Sequence, residues 1–172
     1  MKIFVTSDTH FNHKNIIKYC NRPFESVEHM NEALIQNWNK TVGVNDFVYH
    51  LGDFAFSKNP ENINEIAARL NGNIFLIEGN HDHLIGYRPD SRLNFVGIAE
   101  YVVIKDILLT HYPVHMKEYR SNKTCKMVVP KLLYGHVHNK PVDTEFAKCV
   151  CTELTNYKPV ELGFYIGLFN NS

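Results

Sequence analysis

A chain of 172 residues with 44% hydrophobic content is long enough to bury a core without disulfide staples. Its 18 basic and 18 acidic side chains cancel, which argues against a protein that coats nucleic acid through a global positive field. No apolar run reaches the length of a membrane span, and Met1-Lys2-Ile3-Phe4-Val5 turns polar at Thr6-Ser7-Asp8, too early for an export signal, so a cytoplasmic chain with reduced thiols is expected.

Ile3-Phe4-Val5 reads as a short buried strand that ends at Thr6-Ser7-Asp8. Ser26 is placed to cap a helix whose apolar face carries Val27, Met30, Leu34 and Trp38, with Gly43 as its stop. Phe47 to Leu51 forms a second strand closing at Gly52-Asp53. Asn59 caps a second helix with Pro60 at its first position, a stripe of Ile63, Ile66, Ala67 and Leu70, and Asn71-Gly72 at its end. Ile74 to Ile77 is a third strand, followed by Gly79-Asn80-His81-Asp82. This alternation predicts parallel strands joined by crossover helices. The second half is richer in strands: 101–104 and 107–109 around a Lys105-Asp106 turn, then 132–134, 146–151 and 164–169. With no repeat, low-complexity tract or linker, residues 1–172 are expected to form one domain.

Ten histidines are many for this length, and four of them sit in the strings His81-Asp82-His83 and His136-Val137-His138. His29 falls in a polar helical stretch and needs no special role. The clustered ones point to chemistry, because imidazole is both a metal ligand and an acid/base. Their placement sharpens this. Asp8 and His10 follow the first strand, Asp53 the second, Asn80 and His81 the third. His111 follows Leu108-Leu109, and His136 and His138 follow Leu132-Leu133-Tyr134. Ligands of open α/β sheets bind outside the carboxyl ends of strands, so these positions describe one convergent site. Asp8, His10, Asp53, Asn80, His111, His136 and His138 are too many ligands for one ion and suit two sharing a carboxylate. Mixed imidazole and carboxylate donors suit Mn first, with Fe, Zn, Co or Ni as alternatives, while Ca prefers oxygen. Two divalent ions leave net positive charge after two aspartates and a bridging hydroxide, which favours a phosphoryl anion. Cys149-x-Cys151 lacks the second cysteine pair of a structural zinc site and reads better as strand alternation.

The strings Asp8-Thr9-His10, Gly52-Asp53, Gly79-Asn80-His81-Asp82, His111 and Gly135-His136-Val137-His138 resemble those of the calcineurin-like metallophosphoesterase family. The start Ser7 to Ile17, with Asn21-Arg22-Pro23-Phe24, is similar to a small bacterial and phage branch of it. The resemblance implies an α/β, four-layer αββα sandwich of two mixed β-sheets flanked by helices. It implies a first metal on Asp8, His10, Asp53 and His138, and a second on Asp53, Asn80, His111 and His136. His81 would stand by the leaving group as general acid. In one respect the chain departs from the family: many members carry an aspartate three residues after the bridging one, to orient that histidine, and here the position is Phe56. Asp82 or another carboxylate would have to replace it, or His81 would act alone.

The expected activity is hydrolysis of phosphate mono- or diesters by attack of a metal-bridging hydroxide, with Asn80 and the metals stabilising the phosphoryl oxygens and His81 protonating the leaving oxygen. His13 and Arg22 are candidates for holding the substrate phosphate, with a structural contact equally open for Arg22. Lys117, Arg120, Lys123, Lys126 and Lys131 form either a substrate rim or a solvated loop. The expected partner is a small phosphate ester or nucleotide rather than nucleic acid or a membrane. The competing class is a catalytically silent scaffold of the same fold that binds a protein partner, which would be expected to lose ligands this chain keeps.

Overall fold

The computed structural model describes residues 1–57, 59–82, 95–114 and 131–170. In chain order the elements are β1 (Ile3–Thr6), α1 (Lys14–Tyr19), α2 (Val27–Thr41), β2 (Phe47–His50), α3 (Pro60–Ala67), β3 (Asn73–Ile77), β4 (Phe95–Ala99), β5 (Tyr101–Ile104), β6 (Ile107–Thr110), β7 (Lys131–Tyr134), β8 (Ala147–Cys149), a 3-10 turn (Thr152–Thr155), β9 (Val160–Glu161) and α4 (Leu162–Asn170).

Two mixed sheets with flanking helices make the α/β sandwich that the sequence predicts. The first has the order β4-β3-β2-β1-β9, with β9 alone antiparallel. The second has the order β5-β6-β7-β8, with β5 antiparallel to β6 across the Lys105-Asp106 turn. Alternation along the strands sorts the core. Phe4, Val48, Ile74 and Leu76 face α1 to α3 and their Ile16, Leu34, Trp38 and Ile63. Val5, Leu51, Ile77, Ile107, Leu109 and Leu133 fill the space between the sheets. Leu108, Leu132 and Tyr134 lie on the other face of the second sheet with Cys149 and Cys151.

The helix signals act as read. The Ser26 hydroxyl accepts from His29 N at 3.1 Å, and Asn59 Oδ1 accepts from Glu61 N at 3.0 Å. Residues 164–169, expected as a strand, are instead part of α4. The apolar run there fits either period, and the burial of Leu162, Tyr165 and Phe169 follows helical spacing. The two-residue strand β9 that precedes it takes the edge beside β1. No described helix is long and apolar enough to cross a membrane.

Parallel register aligns the strand ends that matter. Thr6, His50 and Leu76 are mutual partners across β1, β2 and β3, and Thr110, Tyr134 and Cys149 across β6, β7 and β8. At this end the sheets are tied together. Ser7 bridges Cys151 and Thr152 N donates to Ser7 O at 3.1 Å, while within the second sheet Gly135 N donates to His111 O at 2.9 Å. The loops leaving the strands of both sheets therefore meet.

Candidate metal centre

The loops after β1 and β2 stay paired beyond their strands: Asp8 N donates to Gly52 O and His10 N to Asp53 O, both at 3.0 Å. Alternate residues there adopt left-handed backbone, with φ of 57° at Asp8, 51° at His10 and 56° at Asp53; His136 and His138 follow at 71° and 53°. Non-glycine residues rarely sit in this region, and each such residue costs of order 1 kcal/mol. The packing that enforces it is tight. A Cβ on Gly79 would lie 2.5 Å from both Asp53 N and Asp53 Oδ1, and one on Gly135 would overlap Ser7 Oγ. Backbone strain is thus spent on turning these aspartates and histidines toward one another.

Four groups of candidate ligand atoms result among the described residues; one joins His10, Asp53 and His81, another Cys20, His138 and Glu153, and the remaining two hold residues expected to bind metal. In the first of these two, Asp8, His10 and His138 bring donor atoms within 4.8 Å of one another. Asp8 Oδ2 is held by the Ser7 hydroxyl and by His136 N at 2.9 Å. Asp8 Oδ1 and His10 Nε2 are buried and have no hydrogen-bond partner among the described residues. They lie 3.9 Å apart, with His138 Nε2 3.7 Å from the same Asp8 oxygen. In the second, Asp53, His111 and His136 converge within the same span. His111 Nδ1 donates to Leu51 O at 2.8 Å, which turns Nε2 toward the second group. That Nε2 lies 3.1 Å from Asn80 Oδ1 and 3.2 Å from His136 Nδ1. Asp53 Oδ2 stands between the groups, 3.4 Å from His10 Nε2 and 3.6 Å from His111 Nε2. Buried, partnerless acceptors gathered around carboxylates are what a divalent cation needs.

The charges respond to this crowding. Burial raises the Asp8 pKa above the ordinary carboxylate range. Burial, then the charges of His138 and Arg22, lower His10 well below the usual histidine value. Burial also opposes a charge on His138, but its contacts with the Cys20 thiol and Glu153 and the charge of Asp8 outweigh it and push its pKa up to about 10.

Glu153 was invisible to sequence reasoning. It is a lone acid after Cys151-Thr152, with no spacing to mark it. Its Oε1 accepts a hydrogen bond from His138 Nδ1 at 2.9 Å, directing Nε2 at Asp8. The same oxygen accepts from Arg22 Nε at 3.0 Å and Nη2 at 2.7 Å. Arg22 also donates from Nη2 to Asp8 O at 2.7 Å and from Nη1 to Thr9 O at 2.8 Å. One buried ion pair, Arg22–Glu153, therefore braces both the β1 loop and the His138 ring. Arg22 is occupied in this way and does not line the cleft, so the structural contact is the role the geometry gives it rather than phosphate binding.

The other residues singled out by sequence lie as follows. His13 lines the cleft, its Nδ1 3.2 Å from His10 Nδ1. His81 lines it too, anchored through its backbone N to Asp53 Oδ1 at 2.9 Å. Asp82 accepts from the backbone N of Asp53, Phe54 and Gly79 at 2.6, 2.9 and 2.8 Å. It ties the β2 and β3 loops together and so is committed to backbone. Burial raises its pKa to about 6. His81 has rings around it instead: Phe56 at 5.4 Å, His10 at 5.3 Å and His13 at 6.0 Å between centroids. Cys149 and Cys151 are buried, with Cys151 Sγ 3.2 Å from Asp8 Oδ2. His83, Lys117, Arg120, Lys123 and Lys126 lie outside the described residues. Lys131 pairs with Asp106 at 3.0 Å, at the start of β7 and away from the ligand end.

The chain is similar to several known proteins. An uncharacterized protein of Methanocaldococcus jannaschii is 39% identical over 185 aligned positions, which cover 97% of this chain and 90% of that protein. A crystal structure of a protein of unknown function from Aquifex aeolicus superposes with a TM-score of 0.72 at 26% identity, covering 97% of this chain and 98% of the other. A Pseudomonas putida nuclease aligns more loosely, with a TM-score of 0.49 at 22% identity over 79% of this chain and 61% of its own. The family model of the calcineurin-like phosphoesterase superfamily domain matches residues 1–152, a span that holds both ligand groups. The chain belongs to the calcineurin-like phosphoesterase superfamily.

Proposed function

We propose that this protein hydrolyses phosphate esters with two divalent ions, manganese first among them. Asp8, His10, Asp53 and His138 would hold one ion, and Asp53, Asn80, His111 and His136 the other. The observation that carries this is the pair of buried, partnerless atoms Asp8 Oδ1 and His10 Nε2 beside His138 and Asp53, on backbone held in left-handed conformation. Two bound divalent ions supply Lewis acidity toward the phosphoryl oxygens and a nucleophile drawn from water at neutral pH.

The chain's own groups do the rest. Asp53 serves both ligand groups through one oxygen while its other oxygen fixes the His81 backbone. That fixation sets His81 at the cleft wall beside the first group, where its ring can give a proton to the departing ester oxygen. The Asn80 amide sits among His111 and His136, placed to donate to a phosphoryl oxygen from its nitrogen when its oxygen is engaged. His13, in contact with His10 and facing the cleft, is the residue placed to hold a non-reacting phosphate oxygen.

The test is a panel of nitrophenyl phosphate monoesters and diesters with metal-stripped and manganese-reloaded protein. Hydrolysis should disappear on stripping and return on reloading, more with Mn²⁺ than with Ca²⁺, because imidazole ligands disfavour Ca²⁺. Undiminished hydrolysis after verified removal of metal would overturn the reading.

A further inference from the structure

A row of rings borders the ligand groups on one side of the cleft. Phe56 lies nearly flat on His13, 4.3 Å between centroids with 18° between planes. Tyr19 stands edge-on to His13 at 6.3 Å. All three line the same cleft as His10, His81 and Asp53, a space of about 550 Å³. The two outer rings are costly to leave in water: Phe56 is 47% and Tyr19 71% exposed. Apolar surface kept open beside a reactive centre marks a contact face for what enters it.

We propose that Phe56 and Tyr19, packed against His13, form a platform for a nucleobase, so that the ester is one of a nucleotide; this rests on the phosphoesterase reading above. The platform adjoins His81, the side from which the alcohol departs, so it receives the leaving nucleoside. Flat, rigid rings lose little entropy on binding and stack on any base through its π face. Phe56 covers one face of His13 and Tyr19 meets its edge, so the outer face of Phe56 and the exposed Tyr19 ring are the surfaces offered to a base. The charge of the cleft suits an anionic ligand: Asp53 is the one carboxylate among the lining residues described, and Lys140 faces the cleft from the loop after β7. An aliphatic lipid tail would instead need a concave aliphatic trough, and Ile16 and Val137 are the aliphatic residues that line the space.

The test measures affinities of the manganese-loaded full chain by calorimetry for inorganic phosphate and for non-hydrolysable phosphonate analogues of ribose 5-phosphate, adenosine 5′-monophosphate and phenyl phosphate. The adenosine analogue should bind on the order of tenfold tighter than the ribose analogue, the increment that one stacked base supplies. In Phe56→Ala and in Tyr19→Ala that ratio should fall toward one. Phe164→Ala, which removes an exposed ring on α4, should keep it. A ratio of one in the wild type overturns the platform, as does a ratio unchanged in both cleft variants. A phenyl analogue that binds as tightly as the adenosine one overturns it in favour of an aryl ester. If inorganic phosphate itself does not bind, the phosphoesterase reading falls and the platform with it; phosphate binding with no base increment sinks the platform alone.

Discussion

The two ligand groups sit within one cleft, yet they are built differently. Asp8 and His10 are buried, and His138 is locked by Glu153, which Arg22 locks in turn. In the second group His111 is equally buried and held by Leu51 O, while His136 and Asn80 are exposed at the cleft. A braced site loses little entropy on taking an ion, while an open one must order its ligands as the ion arrives. The first group should therefore fill more tightly, and the second should be the one that exchanges and meets substrate.

The largest effect should come from the residue common to both. Asp53→Asn should lower the affinity of both ions together and reduce hydrolysis by several orders of magnitude; if only one ion is lost by elemental analysis, the shared role is wrong. Next is His81→Asn; the His81 ring lies beside His10 and Asp53 but is assigned to neither ion. Alkyl phosphate esters should slow by about 10²–10⁴-fold while nitrophenyl esters lose much less, because nitrophenolate departs without a proton. Loss of metal in that variant would show that His81 is a ligand.

Glu153→Gln separates the two groups most cleanly. It keeps an acceptor for His138 and removes the charge that pairs with Arg22. The first ion should bind about 10–100-fold more weakly and the second should hold its affinity. Equal weakening of both, or none, would mean that the brace does not distinguish the sites. His136→Ala should show the reverse order of losses. Smallest is Ser26→Ala on α2, remote from both groups. It should cost about 1 kcal/mol, or a fall of roughly 2–4 °C in Tm, with metal affinity unchanged.

How far the sequence discloses this molecule depends on the kind of cause. The candidate ligands could be picked out because each follows an apolar strand, and the parallel register of β1, β2 and β3 turns that order into proximity. Ser26 and Asn59 were legible because caps act locally. The left-handed backbone of Asp8 and His10 was not, since only the surrounding packing makes an aspartate or histidine adopt it. Glu153 was not, because its pairing with Arg22 spans 131 positions and it has no telling neighbour, while Arg22 was singled out with a structural contact as one of its two readings. Asp82 looked like a partner for His81 by adjacency, yet three backbone N–H groups claim it. Residues 164–169 misled because an all-apolar run has no period, and only the burial of Leu162, Tyr165 and Phe169 reveals the helix.

We propose that two unequal ion sites act together on a phosphate ester. Calorimetric titration of the metal-stripped chain with Mn²⁺, with nitrophenyl ester hydrolysis followed on the same samples, tests it most directly. The account predicts a tight first event and a weaker second, about two ions per chain in total, with hydrolysis rising only as the second fills. Full hydrolysis at a single ion per chain, or with none, would contradict it.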